Sequence, residues 1–203
     1  MRLTATSPPQ SFTEPLTTTE ARTFLRIEYG TSTDTLQEDE LTLMINAARG
    51  AAEVFQNRDL VRKQWDMVMD YWPGWHIGLR DPLVSVDVFK YKDKDANVTN
   101  MVLNTDYIVD LMKSTPIVTV PANTFWPRFD PWRSSAITLT FTSGYLTTDS
   151  WWKNTPGSMV KRGMLLLIAH WFDNRIPFTR EIGNVAEFPW TVTNLLGIGA
   201  NER

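Results

Sequence analysis

The segment from Ala136 to Arg175 changes its hydrophobic period within a few residues. Ala136 to Phe141 alternates apolar residues with threonine, which is the pattern of a half-buried β-strand. After a Ser-Gly-Tyr turn, Pro156 suits the first turn of a helix because its missing N–H costs nothing there. Apolar residues then cover more than one helical face. This helix is therefore predicted to be either central to the core or partly buried by another subunit.

Two further helices are predicted near the N-terminus. Thr17 and Glu20 have the spacing of a capping box, which predicts a helix over about 18–28. Glu38, Asp39 and Glu40 suit the positive end of a helix dipole and predict a second helix over about 37–57. The third helix, over 156–174, is the long apolar one.

Between residues 61 and 142 the period is two, as in the alternating Trp65, Met67, Met69 and Tyr71. Short strands divided by turn-rich segments favour an antiparallel sheet. The further strands are predicted at His76 to Leu79, Leu83 to Tyr91, Met101 to Leu103, Tyr107 to Asp110, Ile117 to Val120 and Ala136 to Phe141. The predicted fold class is α+β, a small bundle of two N-terminal helices and one long C-terminal helix, with an inserted antiparallel β-sheet region and an extended C-terminal tail.

The two ends of the chain differ from this main domain, which spans 17–175. Residues 1–16 are rich in proline and predict an extended arm. Residues 176–203 show no clear period, yet they are too apolar for a free, disordered tail. We expect the tail to dock on a partner or on the chain itself. Its candidate docking residues are Phe178, Ile182, Phe188, Trp190, Leu195, Leu196 and Ile198.

Composition excludes several functional classes. The 203 residues include no cysteine and two histidines, which rules out thiolate catalysis and leaves little for a metal site, so we expect no cofactor. A net charge of −3 argues against tight DNA binding. The longest apolar run, Met164 to Ala169, is too short to span a membrane. With no visible secretory signal, synthesis in a cytosol is expected.

Catalytic candidates are weak. Asp66 with Asp70, or Asp106 with Asp110, could act as paired carboxylates on a sugar, but acids beside strands are more often solvated. His170 lies within the apolar helix and favours a structural role, whereas His76 flanks the Trp-Pro-Gly-Trp turn and is interpreted as a surface residue. We therefore expect that the protein is not an enzyme.

Tryptophans beside prolines in loops have two interpretations, core packing and a protein interface. The interface candidates are Trp72, Trp75, Trp126, Trp132, Trp151 and Trp152.

The order of these pieces resembles the head-tail connector family of tailed bacteriophages, also called adaptor or head-completion proteins, which is similar to proteins of prophages and gene transfer agents. The resemblance runs from about Leu16 to Arg175, apart from an insertion at Asn123 to Ser135. The matching segments are Leu16 to Ala21 with Phe24 to Arg26, Asp39 to Leu41 with Ile45 to Arg49, Glu53 to Arg58, the Trp65 strand, Leu79 to Val86, Thr138 to Tyr145 and Met164 to Arg175.

The resemblance implies a virion protein of the head-tail neck, assembled in the host cytoplasm. Identical subunits would form a ring, commonly a dodecamer, below the portal protein ring, and stopper, neck or tail proteins would dock beneath. DNA would pass through the channel without specific binding, and no membrane is involved. Acids around Glu38, Asp39 and Glu40 are then channel-lumen candidates, although helix-dipole complementation on a solvated surface explains them equally well. The tail becomes the candidate for portal binding.

Two alternatives stay open at this point. Another neck or tail protein, such as a stopper or tail terminator, should be dominated by strands. A carbohydrate-binding or glycan-active protein should show an aromatic-lined cleft with paired acids.

Overall fold

The computed structural model describes residues 2–5, 13–27, 34–112, 115–132, 134–173 and 190–198. These residues contain four α-helices and eight strands in two antiparallel sheets, so the prediction of an α+β fold is confirmed. The chain divides into two units. The sheet unit comprises Met1–Phe12 and Val61–Tyr145, and the helical unit comprises Thr13–Leu60 and Leu146–Glu202.

The helical unit contains α1 (Thr18–Leu25), α2 (Asp34–Gln56), α3 (Thr155–Asp173) and α4 (Trp190–Ile198), with a 3-10 turn at Ser150–Lys153 before α3. The predicted capping box is present. Thr17 Oγ1 accepts from the N–H of Glu20, and the Glu20 carboxylate accepts from the N–H of Thr17. Arg26 then ends α1 in a left-handed conformation.

Three sequence expectations about the helices need correction. Helix α1 is shorter than expected, ending at Leu25, whereas α2 begins at Asp34, about one turn before the predicted start. The extended tail is also not matched as described, because Trp190–Ile198 forms α4. Residues 174–189 and 199–203, with the candidates Phe178, Ile182 and Phe188, lie outside the described residues.

Helices α2 and α3 build the core of the helical unit. The inner face of α2 carries Leu41, Ile45, Ala48 and Ala52 at helical spacing, and all four are buried. Fully buried alanines at Ala48 and Ala52 allow a neighbouring helix to approach closely. The buried residues of α3 are Pro156, Gly157, Val160, Gly163, Met164, Leu167 and Ile168.

A partly buried ionic network ties the start of the helical unit to α2. The Nε of Arg49 donates to both carboxylate oxygens of Glu14, at 3.0 and 2.9 Å, and its Nη1 donates to Glu53 at 2.9 Å. The other oxygen of Glu53 accepts from the N–H of Leu60. One arginine therefore joins the segment before α1 to α2, while Glu53 fixes the chain after α2.

The larger sheet has the strand order β1-β2-β8-β4-β5. Its strands are β1 (Arg2–Ala5), β2 (Lys63–Met69), β8 (Ile137–Ser143), β4 (Leu83–Lys92) and β5 (Val98–Asn100). The segment predicted as an extended arm thus contributes an edge strand, which pairs antiparallel with β2. The central strand, β8, alternates as the sequence predicts, with Ile137, Leu139 and Phe141 buried.

The smaller sheet has the order β3-β7-β6, formed by β3 (His76–Gly78), β7 (Ile117–Thr119) and β6 (Ile108–Asp110). Its Ile77 and Val118 belong to the same buried cluster as Met67, Phe89 and Leu139 of the larger sheet. Both sheets of this unit therefore share one hydrophobic core.

One predicted strand is misplaced. Met101 to Leu103 was expected to be extended, but β5 is Val98–Asn100, which pairs with Lys90 to Lys92 of β4. The Asp93 carboxylate accepts from the N–H groups of Asp95 and Asn97 and so closes the turn between β4 and β5. This short turn fixes the register of β5.

Candidate interaction surfaces

Trp72 and Trp126 stack in the sheet unit, with ring centroids 4.9 Å apart and planes 11° apart. Phe89 lies edge-on to both rings. The Nε1 of Trp72 donates to the carbonyl of Pro127 at 2.9 Å. Both predicted interface residues are thus partly buried against the hydrophobic core, where they fix the loop that follows Asn123.

Trp75 and Phe125 form an exposed aromatic pair beside that stack. Their ring centroids are 5.4 Å apart, and the two residues are 63% and 75% exposed. The backbone beneath them is held, because Thr119 Oγ1 donates to the carbonyl of Trp75 and Trp126 Nε1 donates to that of Gly74. Rigid aromatic side chains with little cover are frequent anchors of protein interfaces.

The remaining tryptophan candidates are less available. Trp132 is half-buried, and the Lys92 ammonium lies 4.1 Å from its ring centroid. In the helical unit Trp152 is buried and packs edge-on against the half-buried Trp151, at 4.8 Å. The structure therefore separates Trp75, which is exposed, from five candidates that are buried or half-buried. Phe125 is not among the predicted interface candidates, although it directly precedes Trp126 in the insertion from Asn123 to Ser135.

The acidic lumen candidates lie on α2. Asp39 is exposed and Glu40 is half-buried. A carboxylate oxygen of Glu38 lies 3.5 Å from Nη2 of the buried Arg22. Because α2 begins at Asp34, these acids follow the first helical turn, where interaction with the helix dipole has already weakened.

Of the portal-binding candidates, four lie on α4. Leu196 is buried, and its carbonyl accepts from Gln56 Nε2 at 2.6 Å. Leu195 is half-buried, and the backbone of Trp190 and Ile198 forms the ends of the helix. A Cβ placed on Gly163 of α3 would lie 3.0 Å from Leu196, so α4 packs closely on α3.

An apolar groove between α2 and α4 has no counterpart in the sequence predictions. It encloses about 300 Å³ and is lined by Gly50, Ala51, Val54, Phe55, Thr193 and Leu196. Val54 is 83% exposed at its wall. The sequence signal was a second apolar stripe on α2, which the stronger inner stripe concealed.

The carboxylates weighed as catalytic pairs each have a structural partner. Asp66 accepts from the hydroxyl of Thr140, and Asp70 accepts from the N–H of Ser135. Asp106 and Asp110 accept backbone N–H groups within their own loops. Over the described ranges, no group of three or more His, Asp or Glu side chains is placed to hold a metal ion. No helix in that part of the chain is long and apolar enough to cross a membrane.

Asp87 lies on the polar face of the larger sheet. Partial desolvation acts to raise the pKa of its carboxyl, but hydrogen bonds from Ser85, Thr142 and Gln64 outweigh it and lower the pKa below its usual value. These bonds join β4 to β8 and β2, so the ionised form stabilises the sheet.

The whole chain shares its fold with chains of gene transfer agent particles. One belongs to the neck of an empty particle computed with C6 symmetry, with a TM-score of 0.73 and 19% identity. Another belongs to the virion of a native particle, with a TM-score of 0.68 and 18% identity. A third, from the neck of a native particle computed with C12 symmetry, has a TM-score of 0.66 and 18% identity. Each alignment covers 100% of this chain and 97% of the other.

No protein-family model matches this chain, and no curated protein matches it in sequence. Because the sequence identity is 18% or 19%, the structural similarity establishes the fold alone.

Proposed function

We propose that this chain is a head-tail connector, or adaptor, subunit of the neck of a tailed phage or gene transfer agent. Identical subunits form a ring below the portal, extend the DNA channel and present a docking surface for stopper or tail proteins. The observation that carries the proposal is the structural similarity along the whole chain to a chain of a particle neck. The mixture of four helices with two sheets in the described ranges favours a connector over the strand-dominated stopper or terminator.

Exposed apolar surface supports a role in assembly. The aromatic pair in the sheet unit and the groove in the helical unit both leave apolar side chains in water, an arrangement that marks protein interaction sites. In a closed ring each subunit contacts one neighbour on each of its two sides, so it needs two different contact patches. We propose that the exposed aromatic pair contacts either a neighbouring subunit or a stopper or tail protein.

The charge distribution suits a channel for DNA. The net charge is −3, and we propose that Glu38, Asp39 and Glu40 face the lumen, where like charge discourages phosphate binding. DNA can then slide through without being held.

Portal docking is proposed for the tail from Ile176 to Arg203. Within it, Leu196 already packs inside the helical unit, so α4 is proposed to hold the tail in place. The residues proposed to contact the portal directly are Leu195, Trp190, Ile198 and the tail candidates that precede α4.

Disruption of the gene tests the proposal. Particles from such cells should be DNA-filled heads without attached tails, and the wild-type gene supplied in trans should restore tailed particles. Normal tailed particles from the disrupted strain would refute the proposed function. A version truncated after Arg175 tests the tail separately. If the truncated protein folds and still joins portal-bearing heads normally, the portal-docking assignment is wrong.

A further inference from the structure

Helix α2 is apolar on two opposite faces. Its inner face is buried, as described above, whereas Leu43, Ala47, Gly50 and Val54 form an outer stripe with spacings of four, three and four residues. That spacing is the one by which helices pack along a seam. Leu43 is 69% exposed and Val54 is 83% exposed, so nothing in the described protomer covers either end of the stripe.

The groove lies on this outer side of α2. The α2 residues Gly50, Ala51, Val54 and Phe55 form one wall, and α4 supplies Leu196 and Thr193. None of the described residues that line the groove carries a charge. An occupant must therefore be apolar, because a buried charge or polar group would find almost no partner there.

Gly50 lies on the outer stripe of α2. Glycine is among the least favourable residues inside a helix, so a glycine in the middle of a 23-residue helix needs a reason. The glycine at Gly163 is explained within the protomer, since a Cβ there would lie 3.0 Å from Leu196. A Cβ on Gly50 would meet no described residue within 4 Å. Packing among the described residues therefore does not require this glycine, whereas close approach of a partner would.

We infer that the groove around Gly50 receives the aromatic pair, Trp75 and Phe125, of a second copy of this chain. The inference rests on the proposed ring and names its contact between subunits. The pair is apolar and exposed, and hydrogen bonds hold the backbone carbonyls of Gly74 and Trp75, so this loop loses little conformational freedom when the pair binds. Hot-spot aromatics characteristically fill apolar pockets on the partner.

A second copy is the proposed occupant because the same chain presents an apolar groove and an exposed aromatic pair, and chains of similar fold occur in particle necks computed with C6 and C12 symmetry. A groove in the helical unit and a projection in the sheet unit are different patches, as a head-to-tail ring requires. Pairing of groove with groove would give a closed dimer instead.

Cysteine cross-linking tests the contact directly, because the chain has no cysteine of its own. Ala47→Cys places a thiol on the outer stripe, and Thr124→Cys places one beside Phe125; both positions are exposed. In particles that carry the double variant, a short thiol cross-linker should give a ladder of oligomers. A mixture of the two single variants should stop at dimers. The matched control pairs Ala47→Cys with Thr99→Cys, another exposed threonine of the sheet unit, and should give no ladder.

Gly50→Ala provides an independent readout. The added methyl should raise the melting temperature of the isolated chain by about 2 °C through helix propensity. Because it fills the space of the incoming ring, it should weaken ring assembly roughly tenfold. Normal ring assembly, or a lower melting temperature, would overturn the assigned role of Gly50.

The outcomes separate this inference from the proposed function. A ring visible in the neck, without the specific cross-link, refutes the inferred contact and leaves the adaptor role standing. A neck without any ring of this chain refutes both. Specific cross-linking of Ala47 to the control position would also contradict the inference.

Discussion

Arg49→Met should destabilise the helical unit strongly, because it removes the cation between two carboxylates. The side chains of Arg49, Glu14 and Glu53 are only 13%, 19% and 8% exposed. Removing one partner of a buried ion pair typically costs about 3–5 kcal/mol, since the remaining charge stays desolvated. Because Glu14 is partly exposed, the cost should lie at the lower end of this range. We therefore expect the free energy of unfolding to fall by about 3 kcal/mol.

Urea unfolding, followed by far-ultraviolet circular dichroism, measures this loss in the full chain. Arg49→Lys should fall between wild type and Arg49→Met, because an ammonium keeps the charge but not the planar fork that reaches both carboxylates. Arg128→Met, at an exposed arginine of the sheet unit, serves as the control and should stay within about 0.5 kcal/mol of wild type. If Arg49→Met also stays within about 0.5 kcal/mol, the network does not stabilise the fold and the reasoning is wrong.

Three further changes test other parts of the fold. Gly157→Ala should cost about 2 kcal/mol in thermal unfolding, because its Cβ would lie 2.2 Å from the backbone carbonyl oxygen of Trp151; an unchanged melting temperature would contradict this packing. The lowered pKa of Asp87 means that its contribution to stability is present above the unfolded value of about 4 and is lost as pH falls through the folded value. Asp87→Asn should therefore reduce the acid dependence of stability, and an unchanged pH profile would disprove the role. Trp126→Phe should cost about 1–2 kcal/mol by removing the bond to Gly74, which urea titration can check.

Local signals in the sequence predict much of this fold. The capping box of Thr17 and Glu20 and the alternation of Ile137 to Phe141 depend on neighbouring residues alone, and both are present in the structure. Helix α4 could not be found in this way. Its sequence, beginning Trp190-Thr-Val-Thr, is rich in residues with low helix propensity, and packing on Gly163 and Gln56 supplies what local preference lacks.

The candidate surfaces show the same limit. Trp75 and Trp126 both lie in loops near prolines, so sequence patterns give no way to separate the exposed ring from the one that stacks on Trp72. The exposed ring and the stacked ring can be told apart only from the loop conformation. That conformation depends on hydrogen bonds between residues about fifty positions apart. On α2, the exposed Val54 directly follows the buried Glu53, and the outer apolar stripe is weaker in the sequence than the inner one.

Cryo-electron microscopy of particles from cells that carry this gene tests the central proposal most directly. The account predicts a ring of this chain immediately below the portal, with residues Glu38 to Glu40 toward the channel and the tail from Ile176 against the portal. Particles in which the neck ring is built by a different chain, or in which this chain lies elsewhere, would contradict the account.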